Sequence, residues 1–250
     1  MQPAIVVDIG NSRIKWGRCS AAPPSVTEIV SLSPDDPAEW ERQHARWTPV
    51  GTSTWAVSGV HPERRDRFIQ WLQQHGHTVL LIDDPQQLPL QVALEKPRGV
   101  GIDRLLNAVA ANSRRRPHVP AVIVGAGSAI TVDWVDAAGT FAGGAILPGL
   151  RLMAHALHDY TALLPIVEVQ QEFPPVPGVT TVTAMQAGIF WAAVGGIRAL
   201  ISELAGQASR TPDVWLTGGD GPLLHPALDP PAQLWPEMTL EGTRLAAEAL

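Results

Sequence analysis

An apolar run that breaks at a glycine turn and resumes with alternating faces occurs twice in this chain. The first copy is IVVDIGNSRIKW, Ile5 to Trp16, and the second is VIVGAGSAITVD, Val122 to Asp133. Superposing them sets Ile5 on Val122, Asp8 on Gly125, Gly10 on Gly127 and Asn11 on Ser128. Each reads as strand, turn, strand, because a short apolar run bounded by turn residues is a buried strand and the glycine is where a hairpin reverses. Two copies in 250 residues predict a duplicated α/β fold, with one lobe over 1–116 and a second over 117–250. The boundary falls in SRRRPHVP, Ser113 to Pro120, where three arginines and two prolines interrupt the pattern. The arginines read as the solvated end of a helix, where cations are favoured, rather than as a phosphate site.

The segments between the hairpins alternate in kind. DDPAEWERQHARW from Asp35 and HPERRDRFIQWLQQHG, closed by Gly76, read as amphipathic helices, the second with Phe68, Trp71 and Leu72 inward. Strands are expected near Glu28–Leu32, Trp55–Val60 and Thr78–Ile82, and a helix through Ile102, Leu105, Leu106 and Val109. The second half adds a return strand in GTFAGGAILPGL, a helix over RLMAHALHDYTALL, a strand at Val214–Thr217 and a terminal helix at Leu240–Leu250. Its most apolar helix, Ala184 to Ile197, falls short of the roughly 20 residues a membrane span needs. Gly188, Ala192, Gly195 and Gly196 there read as a close-packing face for the core or a second subunit.

Composition removes several classes. Apolar residues make up 45% and charged ones 17%, the balance of an ordered globular chain. The net charge of −6 argues against nucleic acid or an anionic membrane as partner. Cys19 is the single cysteine, so neither an internal disulfide nor a cysteine zinc cluster can form. The first ten residues lack a basic region before their apolar stretch, and a cytoplasmic setting is expected. His155 and His158 share a helix face but have no third ligand, which makes them helix surface.

The glycine turns suit phosphates, since glycine lets backbone N–H groups approach an anion and small side chains add donors. Asn11, Ser12 and Ser128 fit that role, and Asp8 is placed to hold Mg²⁺ beside a nucleotide. The plainer reading of Asp8 is a strand-end acid that caps its own turn. Neither hairpin carries the lysine and hydroxyl of a Walker A loop, and GAGSAI leads into a strand, which excludes a dinucleotide fingerprint. In GVGIDRLLNA, Asp103 lies in the first turn of a helix, whose field favours the ionised carboxylate, and Arg104 follows. Such a pair suits a base and an anion-binding fork in phosphoryl transfer, or else a surface pair with capping value.

Taken in order, DIGNSRIKWG, GVGIDR, GAGSAITVD, GGAILPGL, TTVTAMQAG and LTGGDG resemble the type III pantothenate kinase family of the actin-like (ribonuclease H-like) ATPase superfamily. The resemblance runs from residue 5 to about residue 245. It implies an α/β fold of two lobes with a central cleft, and ATP-dependent phosphorylation of pantothenate, the first step towards coenzyme A. It implies Mg²⁺ with ATP at Asp8, and phosphate contacts from Gly10, Asn11, Ser12, Lys15, Gly127 and Ser128, with Gly218 and Gly219 near adenosine. It implies pantothenate contacts from Gly99, Gly101, Asp103, Arg104 and Thr181, with Asp103 as base and Thr181 reaching across a homodimer. Asp133 matches the acid of a monovalent-cation site for K⁺ or NH₄⁺. One departure stands out: the family's second phosphate motif begins with Asp where this chain has Gly125. That loss raises an alternative, a weakened or inactive kinase-like ligand sensor.

Overall fold

Ile5–Ile9 form β1, with Ile5, Val6, Val7 and Ile9 buried, and the chain reverses through Gly10 to Arg13 into β2, Ile14–Ala21. The computed structural model describes residues 2–48, 51–170, 172–229 and 232–250. It divides into two compact units, one made of residues up to Arg114 together with Glu237–Leu250, the other of Arg115–Pro236.

In the first unit β2 pairs antiparallel with β3, Pro24–Leu32, a longer strand than the expected Glu28–Leu32. Then come α1 (Pro37–Trp47), β4 (Thr54–Gly59), α2 (Pro62–Gln74), β5 (Thr78–Leu81) and α3 (Ile102–Arg114). The sheet order is β3-β2-β1-β4-β5, with β1 parallel to β4 and β4 parallel to β5. Local chemistry starts α1: the Asp36 carboxylate accepts from the backbone N–H groups of Ala38 at 3.0 Å and Glu39 at 3.3 Å, and Pro37 has no N–H to satisfy. Trp40, Trp47, Phe68 and Trp71 from the two helices meet Trp16 and Trp55 from the sheet in one aromatic core. Trp16 and Trp55 stand edge to face at 5.0 Å, as do Trp40 and Phe68 at 5.1 Å. Each such side chain contributes on the order of 2–3 kcal/mol by leaving water.

The second unit repeats the plan. It comprises β6 (Ala121–Ala126), β7 (Ala129–Val135), β8 (Phe141–Pro148), α4 (Leu150–Asp159), α5 (Thr181–Gly206), β9 (Asp213–Thr217), α6 (Gly221–Leu224) and β10 (Gln233–Leu234). Its order, β10-β9-β6-β7-β8, is the first unit's read backwards, with β6 antiparallel to β7 and parallel to β9. The hairpin turn is one residue shorter: Ile9 faces Ile14 across the first, Ala126 faces Ile130 across the second.

Several expectations are corrected. α5 is 26 residues long, not a short segment, and by length and composition it could cross a membrane. Its Met185, Ile189, Phe190, Val194, Ile197 and Ile201 instead enter the core of the second unit. α4 stops at Asp159 rather than continuing to Leu164. There the Thr161 hydroxyl donates to the Leu157 carbonyl and His158 bonds the Leu164 carbonyl, while Leu163 stays 91% exposed with nothing to pack against. The arginine run is not merely a solvated helix end: Arg116 clamps the buried carboxylate of Asp213 through its backbone N–H at 2.9 Å and Nε at 2.8 Å, fixing the start of β9.

The last helix, α7 (Met238–Ala249), does not belong with residues 117–236 as the 117–250 lobe required. It packs in the first unit, where Thr243 Oγ1 lies 3.0 Å from Ser58 Oγ and the Thr239 hydroxyl donates to Asn107 Oδ1 at 2.8 Å. Buried Leu240, Ala246 and Ala247 supply its apolar contact. A Cβ on Gly242 would collide with the Leu106 backbone, so the two helices touch at bare backbone.

Candidate active site

Asp8 lies one residue from the end of β1, opposite Lys15 on β2 and Ser58 on β4. Burial pushes its carboxyl up to about 7, the nearby Asp103 carboxylate adds to the shift, and Lys15 opposes it. Beyond it the turn is pinned by the Gly10 N–H donating to the Arg13 carbonyl at 3.0 Å, and Asn11 and Ser12 are exposed. Arg64, in the first turn of α2, donates to the Asn11 carbonyl and to Asp35 Oδ2 at 2.7 Å. Arg67 takes the other Asp35 oxygen at 2.8 Å, and these arginines hold Asp35 below the usual carboxylate range. The sequence reading missed Arg64, which in sequence is one of several cations on a polar helix face.

Asp103 stands in the first turn of α3, where Oδ1 accepts from the Arg104 N–H at 2.9 Å. A Cβ on Gly101 would fall 2.5 Å from that same oxygen, so glycine makes room for the carboxylate. The N–H groups of that first turn favour the ionised Asp103, as the helix field leads one to expect, but burial outweighs them. Burial raises its pKa, with the Arg104 N–H and guanidinium only opposing. Asp8, Lys15, Asp103 and Gly101 therefore share the first unit, and the two carboxylates feel each other. Gly99 closes a short 3₁₀ turn, Pro97–Gly99, and a side chain there would meet nothing within 4 Å.

In the second unit Gly127 and Ser128 form the β6–β7 turn, and the Gly149 N–H donates to the Ser128 carbonyl at 3.2 Å. Gly218, at φ +99°, sits against the Ala126 backbone so closely that any Cβ would overlap it, while Gly219 is unconstrained. The Asp220 N–H then donates to the Ala126 carbonyl at 3.0 Å. Burial raises the Asp220 pKa and Arg151 on α4 opposes the rise. This acid was overlooked within LTGGDG. Gly125 faces Thr131 on β7 and Thr217 on β9, and a Cβ at 125 would lie 2.8 Å from Thr131 Oγ1. The threonine hydroxyl thus occupies the space beside Gly125. Asp133 is wholly buried on β7, and a Cβ on Gly144 opposite would overlap its carboxylate. Thr181 is the exposed first residue of α5, after the Thr180 cap.

Two α/β units of the same strand order, each opening with a hairpin whose glycine turn follows the first strand, define an actin-like ATPase fold. Solved structures bear this out. The ethanolamine utilization protein EutJ from Carboxydothermus hydrogenoformans superposes with a TM-score of 0.57 at 12% identity, covering 97% of this chain and 89% of that one. The activator of the 2-hydroxyisocaproyl-CoA dehydratase from Clostridium difficile, solved with ADPNP, gives 0.54 at 13% identity over 99% and 95%. Within that class the chain belongs to the type III pantothenate kinase family, whose model matches residues 4–203. The type III pantothenate kinase of Alkalilimnicola ehrlichii is 32% identical over 98% of both chains, and that of Rhodospirillum centenum 35% identical over 81% of this chain and 83% of its own.

Proposed function

We propose that this chain transfers the γ-phosphoryl group of ATP to the hydroxyl of pantothenate, giving 4′-phosphopantothenate, the first step of coenzyme A synthesis. Family membership supports the reaction. The single observation that carries the mechanism is Asp103, a half-buried carboxyl of raised pKa at the first turn of a helix, with Gly101 leaving its oxygen clear. A carboxylate with a raised pKa is a better proton acceptor for an alcohol than an ordinary one. Asp103 takes the hydroxyl proton as the oxygen attacks, and Arg104 holds the pantothenate carboxylate, with Gly99 and Gly101 lining the substrate.

Asp8 fits a magnesium ligand, because a carboxylate destabilised by burial and by a neighbouring acid gains when a cation comes near. A Mg²⁺ ion held by Asp8 would offset the negative charge of the nucleotide phosphates. Gly10, Asn11, Ser12, Lys15, Gly127 and Ser128 bind phosphate, and Gly218 and Gly219 lie against adenosine. Asp133 fits a K⁺ or NH₄⁺ ligand, its carboxylate lying where Gly144 withholds a side chain.

A homodimer completes the site through Thr181. Support comes from the apolar surface of the second unit, where Ile146, Tyr160, Leu163 and Val179 are 64%, 88%, 91% and 89% exposed. The single, unpaired cysteine suits a cytoplasmic enzyme. The test is an ADP-release assay with pantothenate, Mg²⁺ and ATP, with and without K⁺ or NH₄⁺, product being identified by mass. Turnover that requires pantothenate is expected. ADP release without a phosphorylated product would overturn the reading, and an active monomer in sedimentation would remove Thr181 from the site.

A further inference from the structure

Three imidazoles and a carboxylate gather at the other end of the first unit's sheet. Ser53 and His77 immediately precede β4 and β5, whereas Asp8 lies near the C-terminal end of β1, and these three strands run parallel. Glu41 and His44 project from α1, and His75 is the C-cap of α2. One ligand atom from each of Glu41, His44 and His75 lies within 4.8 Å of the others.

The hydrogen bonds set what each of these atoms can offer a cation. His75 Nδ1 lies 2.8 Å from the Trp71 carbonyl, an acceptor only, so this nitrogen carries a proton and Nε2 is left to face Glu41 at 3.1–3.2 Å. A lone pair opposite a carboxylate requires a positive charge between or on the two. The Glu41 carboxylate is oriented in turn by the Trp71 indole N–H, which donates to Oε1 at 2.9 Å. His44 Nε2 lies 2.6 Å from His77 Nε2, and His77 Nδ1 meets both the N–H and the hydroxyl of Ser53, at 3.2 and 3.3 Å. The Ser53 N–H only donates, so without metal the neutral His77 accepts at Nδ1 and donates its Nε2 proton to His44; a cation on His44 would reverse the pair, with His44 Nε2–H donating to His77 and His77 Nδ1–H turning to the Ser53 hydroxyl. Ligand histidines characteristically donate their other N–H to a fixed acceptor in this way. His44 lies in the last turn of α1 and His75 caps α2, the ends of helices where a positive charge is favoured.

We infer that Glu41, His44 and His75 form a binding site for a divalent transition metal of the Zn²⁺ class that ties α1 to the end of α2. Two nitrogens, one carboxylate oxygen and a water make a four-coordinate set suited to zinc, and imidazole donors disfavour Mg²⁺ and Ca²⁺. Exposure of Glu41 leaves an entry path from solvent.

The test is equilibrium dialysis of chelator-stripped full-length protein against micromolar ZnCl₂ with millimolar Mg²⁺ present, metal being counted by mass spectrometry, beside Co²⁺ absorption spectra. Wild type and Asp8→Asn are expected to retain one zinc per chain that His75→Gln and Glu41→Gln lose, with a Tm rise of several degrees in wild type alone. A tetrahedral Co²⁺ spectrum should vanish in the same two variants. Glu41→Gln sits on the surface and keeps the test open if His75→Gln does not fold. No zinc retained by wild type, or equal retention by both variants, would overturn the site. Loss in Asp8→Asn instead would assign the metal to the nucleotide region and overturn it too.

Discussion

The two units share a strand order and differ in what their first hairpin carries. In the first, β1 ends in an acid whose charge is costly, with a second acid nearby and a lysine opposite. In the second, the matching strand position is Gly125 and its neighbours are the hydroxyls of Thr131 and Thr217. The cores differ as well: interlocked indoles in the first, and α5 laid on aliphatic strands in the second. One backbone plan therefore accepts either a charged or a neutral strand end. What decides between them is the side chain that fills the space beside it. The first unit pairs two acids, Asp8 and Asp103, with a lysine, whereas the first hairpin of the second offers backbone N–H groups and hydroxyls around tight glycines, its acids Asp133 and Asp220 lying further along β7 and after β9.

If that division is right, the largest effect belongs to Asp103. Asp103→Asn is expected to lower kcat by roughly 10²–10⁴-fold, the scale of a lost general base, with the pantothenate KM little changed in steady-state assays. A kcat near wild type would move proton transfer away from the first unit. Next, Asp8→Asn should cut kcat/KM for Mg·ATP by about 10²-fold, comparable to losing one preorganised charge contact.

Asp8 also predicts a pH signature without metal. Its folded pKa of about 7 exceeds the ordinary 3.8, so the folded state holds the proton more tightly. Stability contributed by that proton is present below the ordinary value and drains away as pH rises to about 7. Thermal melts in chelator should therefore show Asp8→Asn gaining on wild type between acidic pH and neutrality. A constant difference would break the assignment.

On the other side, Gly125→Ala should cost about 1–2 kcal/mol, because the new Cβ must displace Thr131 Oγ1. Adding Thr131→Ala should return most of the loss in denaturant melts. Gly125→Asp should leave the Mg²⁺ response of the enzyme unchanged or improved once Thr131 gives way, and a large fall would show a second unit rebuilt around glycine. The smallest effect is expected at Gly99→Ala, within about 0.5 kcal/mol of wild type, since a Cβ there meets nothing. Gly101→Ala should raise the pantothenate KM, because its Cβ meets the Asp103 carboxylate.

Much of the fold was legible because the hairpins obey local rules: buried runs such as Val122 to Val124 and a glycine turn specify strand reversal without tertiary help. The acids at Asp8 and Asp103 were legible for the same reason, each lying at the end or start of an element. What escaped depends on contacts distant in sequence. Arg64 reaches the Asn11 carbonyl from another helix, Arg116 finds Asp213 across almost the whole second unit, and Glu41, His44 and His75 come together only when two helices pack. The sign of the Asp103 shift escaped too, because burial is a property of the folded unit and a helix field is a property of a segment.

The return of α7 to the first unit makes residues 115–236 an insertion within it. During synthesis the ribosome delivers the parts of the second unit in one continuous stretch, while the first must wait for α7, which follows the whole of the second. The half that carries Asp8 and Asp103 is thus the later one to close, and a nascent chain stalled before α7 is left with Ser58 and the flank of α3 uncovered.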